Sequence, residues 1–134
     1  MEPYRIERKI PMQLYEKIGK SRVQQVIEGL YDRLFEDPLL GHFFFQRDKA
    51  TLIARQVEFT LRLLGDMESV YRGKPIPVAH APLGIRAVHM ARRQKVLEAV
   101  LEECGVEKAD AQEWLARENQ LRHLVIKSPG NCLT

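Results

Sequence analysis

The chain holds only two cysteines, Cys104 and Cys132, far apart and without a CxxC spacing. That excludes a disulfide framework and a Cys-rich zinc site. It is compatible with a reducing compartment, and a cytoplasmic location is the expectation. No apolar run approaches the roughly 20 residues of a membrane span. Residues Met1 to Pro11 alternate charges and lack the apolar core of a secretory signal. Charge of neither sign dominates: 21 Lys and Arg against 18 Asp and Glu give a net +3, too small an excess to mark a nucleic-acid binder. The densest basic stretch, Arg86 to Lys95, has no aromatic residue interleaved for base stacking and reads as a solvated helix face. Serine and cysteine nucleophile motifs are missing, as is a phosphate loop. The four histidines, His42, His80, His89 and His123, contain no pair at the spacing of a helical metal site.

What is present is an ordinary globular composition. With 134 residues, 45% apolar and 29% charged, the chain is expected to form one domain that buries about two thirds of its unfolded surface. Periodicity makes that domain all-α. Gln13 to Gly19 reads as a short helix stopped by glycine. Ser21 and Gln24 have the spacing of a capping box. After them Val23, Val26, Ile27, Leu30, Tyr31, Leu34 and Phe35 recur at helical spacing on one face. Asp37-Pro38 ends that helix, and Leu39 to Phe45 is a short apolar turn. Asp48 caps a third helix with Leu52, Gln56, Phe59 and Leu63 in its stripe. From Gly65 to Gly84, prolines and glycines predict an ordered loop with at most one short helix. A fourth helix runs from about Val88 to Cys104. A fifth starts at Asp110, its inner face carrying Trp114, Leu115, Leu121, Leu124 and Val125. Strand alternation with hairpin turns is lacking throughout. Residues 1–11 are an arm, 12–127 the domain and 128–134 a tail.

Few residues carry chemistry. His80 follows the proline-rich loop among small and apolar neighbours. It is either a satisfied structural histidine or a rigid imidazole suited to an axial position on a haem iron. Tyr31 and Gln56 lie in apolar stripes, where a buried phenol and a buried amide each need a partner. They satisfy each other in a core, or they line a dry cavity and donate to a small ligand. His42-Phe43-Phe44-Phe45 either packs the core or clasps a flat cofactor.

The order and spacing of these residues resemble the truncated haemoglobins, from about Leu14 to about Val125. Leu14 to Gly19 is similar to that family's opening. Leu30-Tyr31-Asp32-Arg33, Asp37-Pro38-Leu39-Leu40 and His42-Phe43-Phe44 resemble its second helix and corner. Gln56-Val57-Glu58-Phe59 falls in its distal helix. Tyr71-x-Gly73, Ala79-His80-x-x-Leu83-Gly84-Ile85 and His89 resemble its haem-ligand segment. The chain departs from the family pattern at Gly19-Lys20, Gly65-Asp66 and Met90, which concerns helix junctions and packing.

The resemblance implies a two-over-two helical sandwich around b-type haem. By position, His80 is the iron ligand, Phe44 packs on the porphyrin, and Tyr31, Leu52 and Gln56 are distal. The Tyr-Leu-Gln set, with Trp114 too late to be a distal tryptophan, looks most like group I. Dioxygen on ferrous haem carries partial negative charge, so two distal donors are expected to slow its release tenfold to a hundredfold, on the order of 1.4 kcal/mol per decade. Some members place a ligating histidine where Arg55 stands. Guanidinium has no acceptor lone pair, so the sixth site is expected to be open or to hold water, with Arg55 on a haem propionate or in solvent. His123 matches a position where a few members link histidine covalently to a haem vinyl group; the alternative is an exposed histidine on the last helix.

The implied ligands are dioxygen, nitric oxide and carbon monoxide, and the implied activity is nitric-oxide dioxygenation or oxygen binding. A reductase to recycle ferric iron would be a partner, and the expected assembly is a monomer or weak homo-oligomer. The competing readings are a haem-based gas sensor and a cofactor-free helical interaction module.

Overall fold

The computed structural model describes residues 11–126, and no strand occurs among them. The N-terminal arm up to residue 10 and the tail from residue 128 lie outside the described residues. Six helices follow in order: α1 (Leu14–Ile18), α2 (Lys20–Glu36), α3 (Lys49–Leu63), α4 (Ile76–His80), α5 (Ala87–Glu103) and α6 (Lys108–Asn119). Single 3-10 turns at Gly41–Phe44, Ala81–Leu83 and Arg122–Leu124 link or extend them.

Helix α2 is the spine. Its apolar stripe buries Val23, Val26, Ile27, Leu30, Tyr31 and Leu34, each at the 3-and-4 spacing that keeps a single face inward. That face packs on α3 and on α5, and α5 packs on α6, giving the two-over-two sandwich. Val96, Leu97, Val100 and Leu101 of α5 complete the core with the fully buried Trp114 of α6.

The expected capping box at Ser21 and Gln24 does not form. Helix α2 begins two residues earlier, at Lys20 with Gly19 as its N-cap, so Ser21 already lies in its first turn. Gly19, with φ 95°, closes α1 and opens α2 at once. Its carbonyl accepts from the N–H groups of Arg22 and Val23 at 3.1 and 3.0 Å, and Gln24 donates to Glu28 at 2.9 Å instead. Only glycine adopts such a φ without strain, and this removes the need for a hydroxyl cap. At α3 the expected cap does form: Asp48 accepts from the Thr51 N–H at 3.1 Å.

Helix α6 is shorter at its end than the apolar pattern suggests. It stops at Asn119, and the chain tightens into the 3-10 turn at Arg122–Leu124. Leu121 and Val125 therefore line a cavity rather than continue the core stripe.

The corner after α2 is built on Asp37. Its carboxylate is almost wholly buried, accepts from the Leu39 and Leu40 N–H groups at 3.0 and 3.1 Å, and pairs with Arg92 Nε of α5 at 2.8 Å. Gly41 belongs to the same corner: a Cβ there would stand 2.8 Å from the Phe35 carbonyl oxygen, closer than a side chain allows. Hydrogen bonding from Arg92, and then from the two backbone N–H groups, holds the Asp37 carboxyl below its ordinary 3.8, against the opposing effect of burial. A depressed folded-state pKa means that this contribution to stability is present above pH 4 or so and is lost as pH falls through the lower folded value. Asp37→Asn should therefore be less stable than the parent near pH 6. The gap should close as the pH is lowered from about 5 to 2. Denaturant titrations across that range check it, and a gap independent of pH counts against it.

Candidate functional site

A cavity of about 490 Å³ opens between α2, α3, α4 and α5, within the usual size of a cofactor site. Its walls are mainly apolar, among them Leu34, Leu40, Phe43, Phe59, Ile85 and Met90. Of the aromatic run, Phe43 and Phe44 line it, whereas Phe45 is 75% exposed. Phe44 stacks on Phe35 with ring centroids 5.0 Å apart and meets the Tyr31 ring edge-on at 5.8 Å. The flat wall is thereby fixed to α2.

Two histidines reach the cavity, His80 and His89, and their hydrogen bonds distinguish them. His80 Nδ1 lies 2.8 Å from the Ile76 carbonyl oxygen. A carbonyl only accepts, so Nδ1 carries the proton and Nε2 keeps its lone pair. Burial also lowers the His80 pKa, although its bond to Ile76 works the other way. His89 is reversed: its Nδ1 accepts from the Arg86 N–H at 2.9 Å, which in the neutral ring leaves the proton on Nε2. Of the two cavity histidines, His80 is the one whose Nε2 offers a lone pair. The short helix that holds it has Pro77 in its first turn, and Pro82 follows in the next turn, so its backbone has little freedom.

Across the cavity stand Tyr31 and Gln56. The Tyr31 hydroxyl donates to Gln56 Oε1 at 3.4 Å, long for an O–H···O bond, so the hydroxyl is only loosely held. Burial raises the Tyr31 pKa, which keeps the phenol a donor. Gln56 Nε2 donates to Thr60 Oγ1 at 3.0 Å. Thr60 is fully buried, fixes the amide's orientation and, among the described residues, leaves one of its two N–H groups without a partner. The stripe of α3 contains Thr60, but only the structure gives it this positioning role.

Leu52 lines the cavity without a polar group to offer, and Arg55 lines it with Nη1 bound to Glu58 at 2.8 Å. Glu58 in turn accepts from the Arg72 N–H at 2.9 Å, so Arg55 is tied to the loop after α3 rather than free in solvent. His123 is exposed on the terminal 3-10 turn and is not among the residues lining the cavity, because the break after Asn119 carries it off the inner face of α6. The basic stretch is not a uniformly solvated face either. Arg92 pairs with Asp37, and Arg93 turns inward to line the cavity and pairs with Glu118 at 2.5 Å. Arg93 stands three residues before Val96 and four before Leu97, a register that already placed it on the buried side of α5.

The family model described as "Bacterial-like globin" matches residues 13–127. The group 1 truncated hemoglobin of Tetrahymena pyriformis is 29% identical over 100 residues, covering 74% of this chain and 82% of that protein. Its Fe(III) crystal structure superposes with a TM-score of 0.82 at 25% identity, over 87% of this chain and 100% of that one. The group 1 truncated hemoglobin GlbN of Synechocystis sp. is 32% identical over 98 residues, 69% of this chain and 78% of that protein. The 2/2 hemoglobin from Synechococcus sp. PCC 7002, solved in the cyanomet state with covalently attached heme, superposes with a TM-score of 0.76 at 25% identity over 84% of this chain and 94% of that one. The chain belongs to the bacterial-like globins, within the truncated haemoglobins.

Membership brings haem with its iron and the binding of a gaseous ligand such as dioxygen. The residues of this structure fit the group. Among the described residues no cluster of three His, Cys, Asp or Glu side chains forms a metal site of its own. One imidazole with a free Nε2, set in a mainly apolar cleft with a flat aromatic wall, is instead the donor set that an iron already held by a porphyrin requires. No helix among the described residues is long and apolar enough to cross a membrane.

Proposed function

We propose that this globin handles nitric oxide by dioxygenation, with His80 as the iron ligand and Tyr31 and Gln56 as the distal donors. The haem, when bound, supplies ferrous iron that combines dioxygen and nitric oxide into nitrate. That chemistry would leave the iron one electron short, so a reductase would be the partner that restores it. The chain's own residues do the rest. His80 presents Nε2 because Ile76 holds its Nδ1 proton. Phe43 and Phe44 give the ring a flat wall. Arg47 and Lys74, exposed where they line the cavity, are cations placed for the propionates, while Arg55 is already engaged by Glu58.

The observation that carries the reading is the Tyr31–Gln56 pair. Its hydroxyl is loosely bound at 3.4 Å, and its amide is aligned by Thr60. Both can turn a donor toward a ligand that gathers negative charge, at about 0.5–1.5 kcal/mol for each neutral hydrogen bond and more where water is excluded. Such a pocket retains dioxygen until nitric oxide arrives, whereas storage and delivery need fast release.

The test mixes the ferrous, dioxygen-loaded protein with one equivalent of nitric oxide. Nitrate is expected in a 1:1 ratio with ferric protein. Release of free dioxygen with no nitrate formed would overturn the proposal.

A further inference from the structure

Arg93 is a full positive charge that a neutral ligand such as carbon monoxide does not call for. It projects from α5 into the same cavity as Tyr31 and Gln56, with its side chain only 19% exposed. Its partner Glu118 comes from α6 and is held at both oxygens. Oε1 accepts from Arg93 Nη1 at 2.5 Å, and Oε2 accepts from the indole N–H of the fully buried Trp114 at 3.1 Å. The carboxylate is thus a brace fixed to the core, and the guanidinium hangs from it. A guanidinium carries five N–H donors. Among the described residues Glu118 takes one of them, and the others belong to a side chain that lines the cavity.

The position of the charge is visible in its effects on other groups. Burial raises the Tyr31 pKa, Arg93 pulls it down and Glu118 opposes Arg93; at His80, on the other side of the cavity, burial lowers the pKa and Arg93 adds to it. Arg93 therefore lies within electrostatic reach of both walls. Removing a guanidinium from water costs several kcal/mol even when it is paired, and an apolar pair of the same volume would leave a cleft for neutral diatomic ligands intact. The propionates already have Arg47 and Lys74, so this more deeply buried cation makes sense if the cavity also receives a small ligand with a full negative charge.

We propose that Arg93, braced by Glu118 and Trp114, is the residue that makes this cavity select small monovalent inorganic anions over neutral diatomic ligands, with the Tyr31–Gln56 pair completing the donor set. The proposal rests on the haem reading above, because anion binding beside Arg93 would be read through the ferric haem. Nitrate, the product of the proposed reaction, belongs to this class, and so do nitrite, azide and fluoride. Arg93 acts as a specificity residue: it favours ligands that carry a full charge and does little for neutral carbon monoxide.

The test is a fluoride titration of the ferric holoprotein, followed by absorbance, in the parent and in the double variant R93Q/E118Q. Two amides replace the ion pair without stranding a buried carboxylate, and the new glutamine at 118 still accepts from Trp114. Fluoride should bind about tenfold to a hundredfold more weakly in the double variant, the loss of one charge-assisted hydrogen bond. Carbon monoxide affinity of the ferrous form should stay within about twofold. Unchanged fluoride affinity in a haem-loaded double variant overturns the proposal, as does an equal loss for carbon monoxide.

A second measurement needs no variant and so survives a failure of the double variant to fold. Nitrate added to the parent at constant ionic strength should raise the fluoride Kd by competition, and a Kd indifferent to nitrate overturns the proposal. A parent chain that takes up no haem overturns this proposal and the haem reading together. Haem uptake with no anion preference overturns this one alone.

Discussion

His80→Ala should abolish the proximal-histidine signature of the ferrous carbon monoxide spectrum and weaken haem retention on the order of a hundredfold or more, beyond the 10- to 100-fold typical of losing an outer-shell partner. His89→Ala should leave the spectrum unchanged. Both imidazoles line the cavity, so proximity alone does not choose between them; the backbone does. Ile76 accepts the Nδ1 proton of His80 at 2.8 Å and frees Nε2. Arg86 donates to Nδ1 of His89 at 2.9 Å and leaves the proton on the ring nitrogen that would have to ligate. Visible spectra of the ferric, ferrous and carbon monoxide forms of both variants decide it. A His80→Ala protein with an unaltered spectrum, or a His89→Ala protein with an altered one, sinks the assignment.

The second large effect lies on the opposite wall. Tyr31→Phe should accelerate dioxygen dissociation about fivefold to tenfold, since one neutral hydrogen bond at the upper end of about 0.5–1.5 kcal/mol is removed from a site that excludes water, at 1.4 kcal/mol per decade. Gln56→Leu should act in the same direction and also strand the buried Thr60 hydroxyl, so some loss of stability accompanies it. The pair is in contact, at 3.4 Å, so the double variant should fall short of the product of the single effects. Dissociation rates measured by displacement with carbon monoxide give all three numbers. A Tyr31→Phe rate within twofold of the parent would show that the hydroxyl does not reach the ligand.

Much of this protein can be read from its residues in order. The α2 stripe is legible because six apolar positions at helical spacing admit one buried face. Tyr31 and Gln56 stand out because a polar group inside such a stripe demands a partner. What is illegible is set by neighbours distant in sequence or by backbone geometry. Gly19 takes over the cap that Ser21 and Gln24 seem to announce, because its positive φ lets two helices meet without a loop. Leu121, Leu124 and Val125 look like further turns of α6, yet the chain tightens after Asn119 and turns them, with His123, to a different azimuth. Arg93 is the instructive case. Four basic residues in ten suggest solvent, and charge outweighs register in such a reading. Its partner Glu118 lies 25 residues away on another helix, and no local pattern announces the pair.

The distribution of the core has a consequence for the life of the molecule. The buried cluster is drawn mainly from α1, α2, α5 and α6. Helix α3 adds only Thr60 as a fully buried residue, and α4 with its following turn adds none. The segment from 49 to 84 therefore turns much of its apolar surface toward the cavity rather than toward other side chains, and a prosthetic group seated there doubles as its interior. Ligand binding of this kind stabilises by mass action, about 2.7 kcal/mol at a hundredfold excess over Kd. The stabilisation is concentrated in the segment that contributes the fewest fully buried residues. A protease should accordingly cut the haem-free chain first between residues 66 and 84 and spare the loaded one. In a cell, prosthetic-group supply would then govern how long each copy persists, so that the amount of this globin would follow the availability of its pigment.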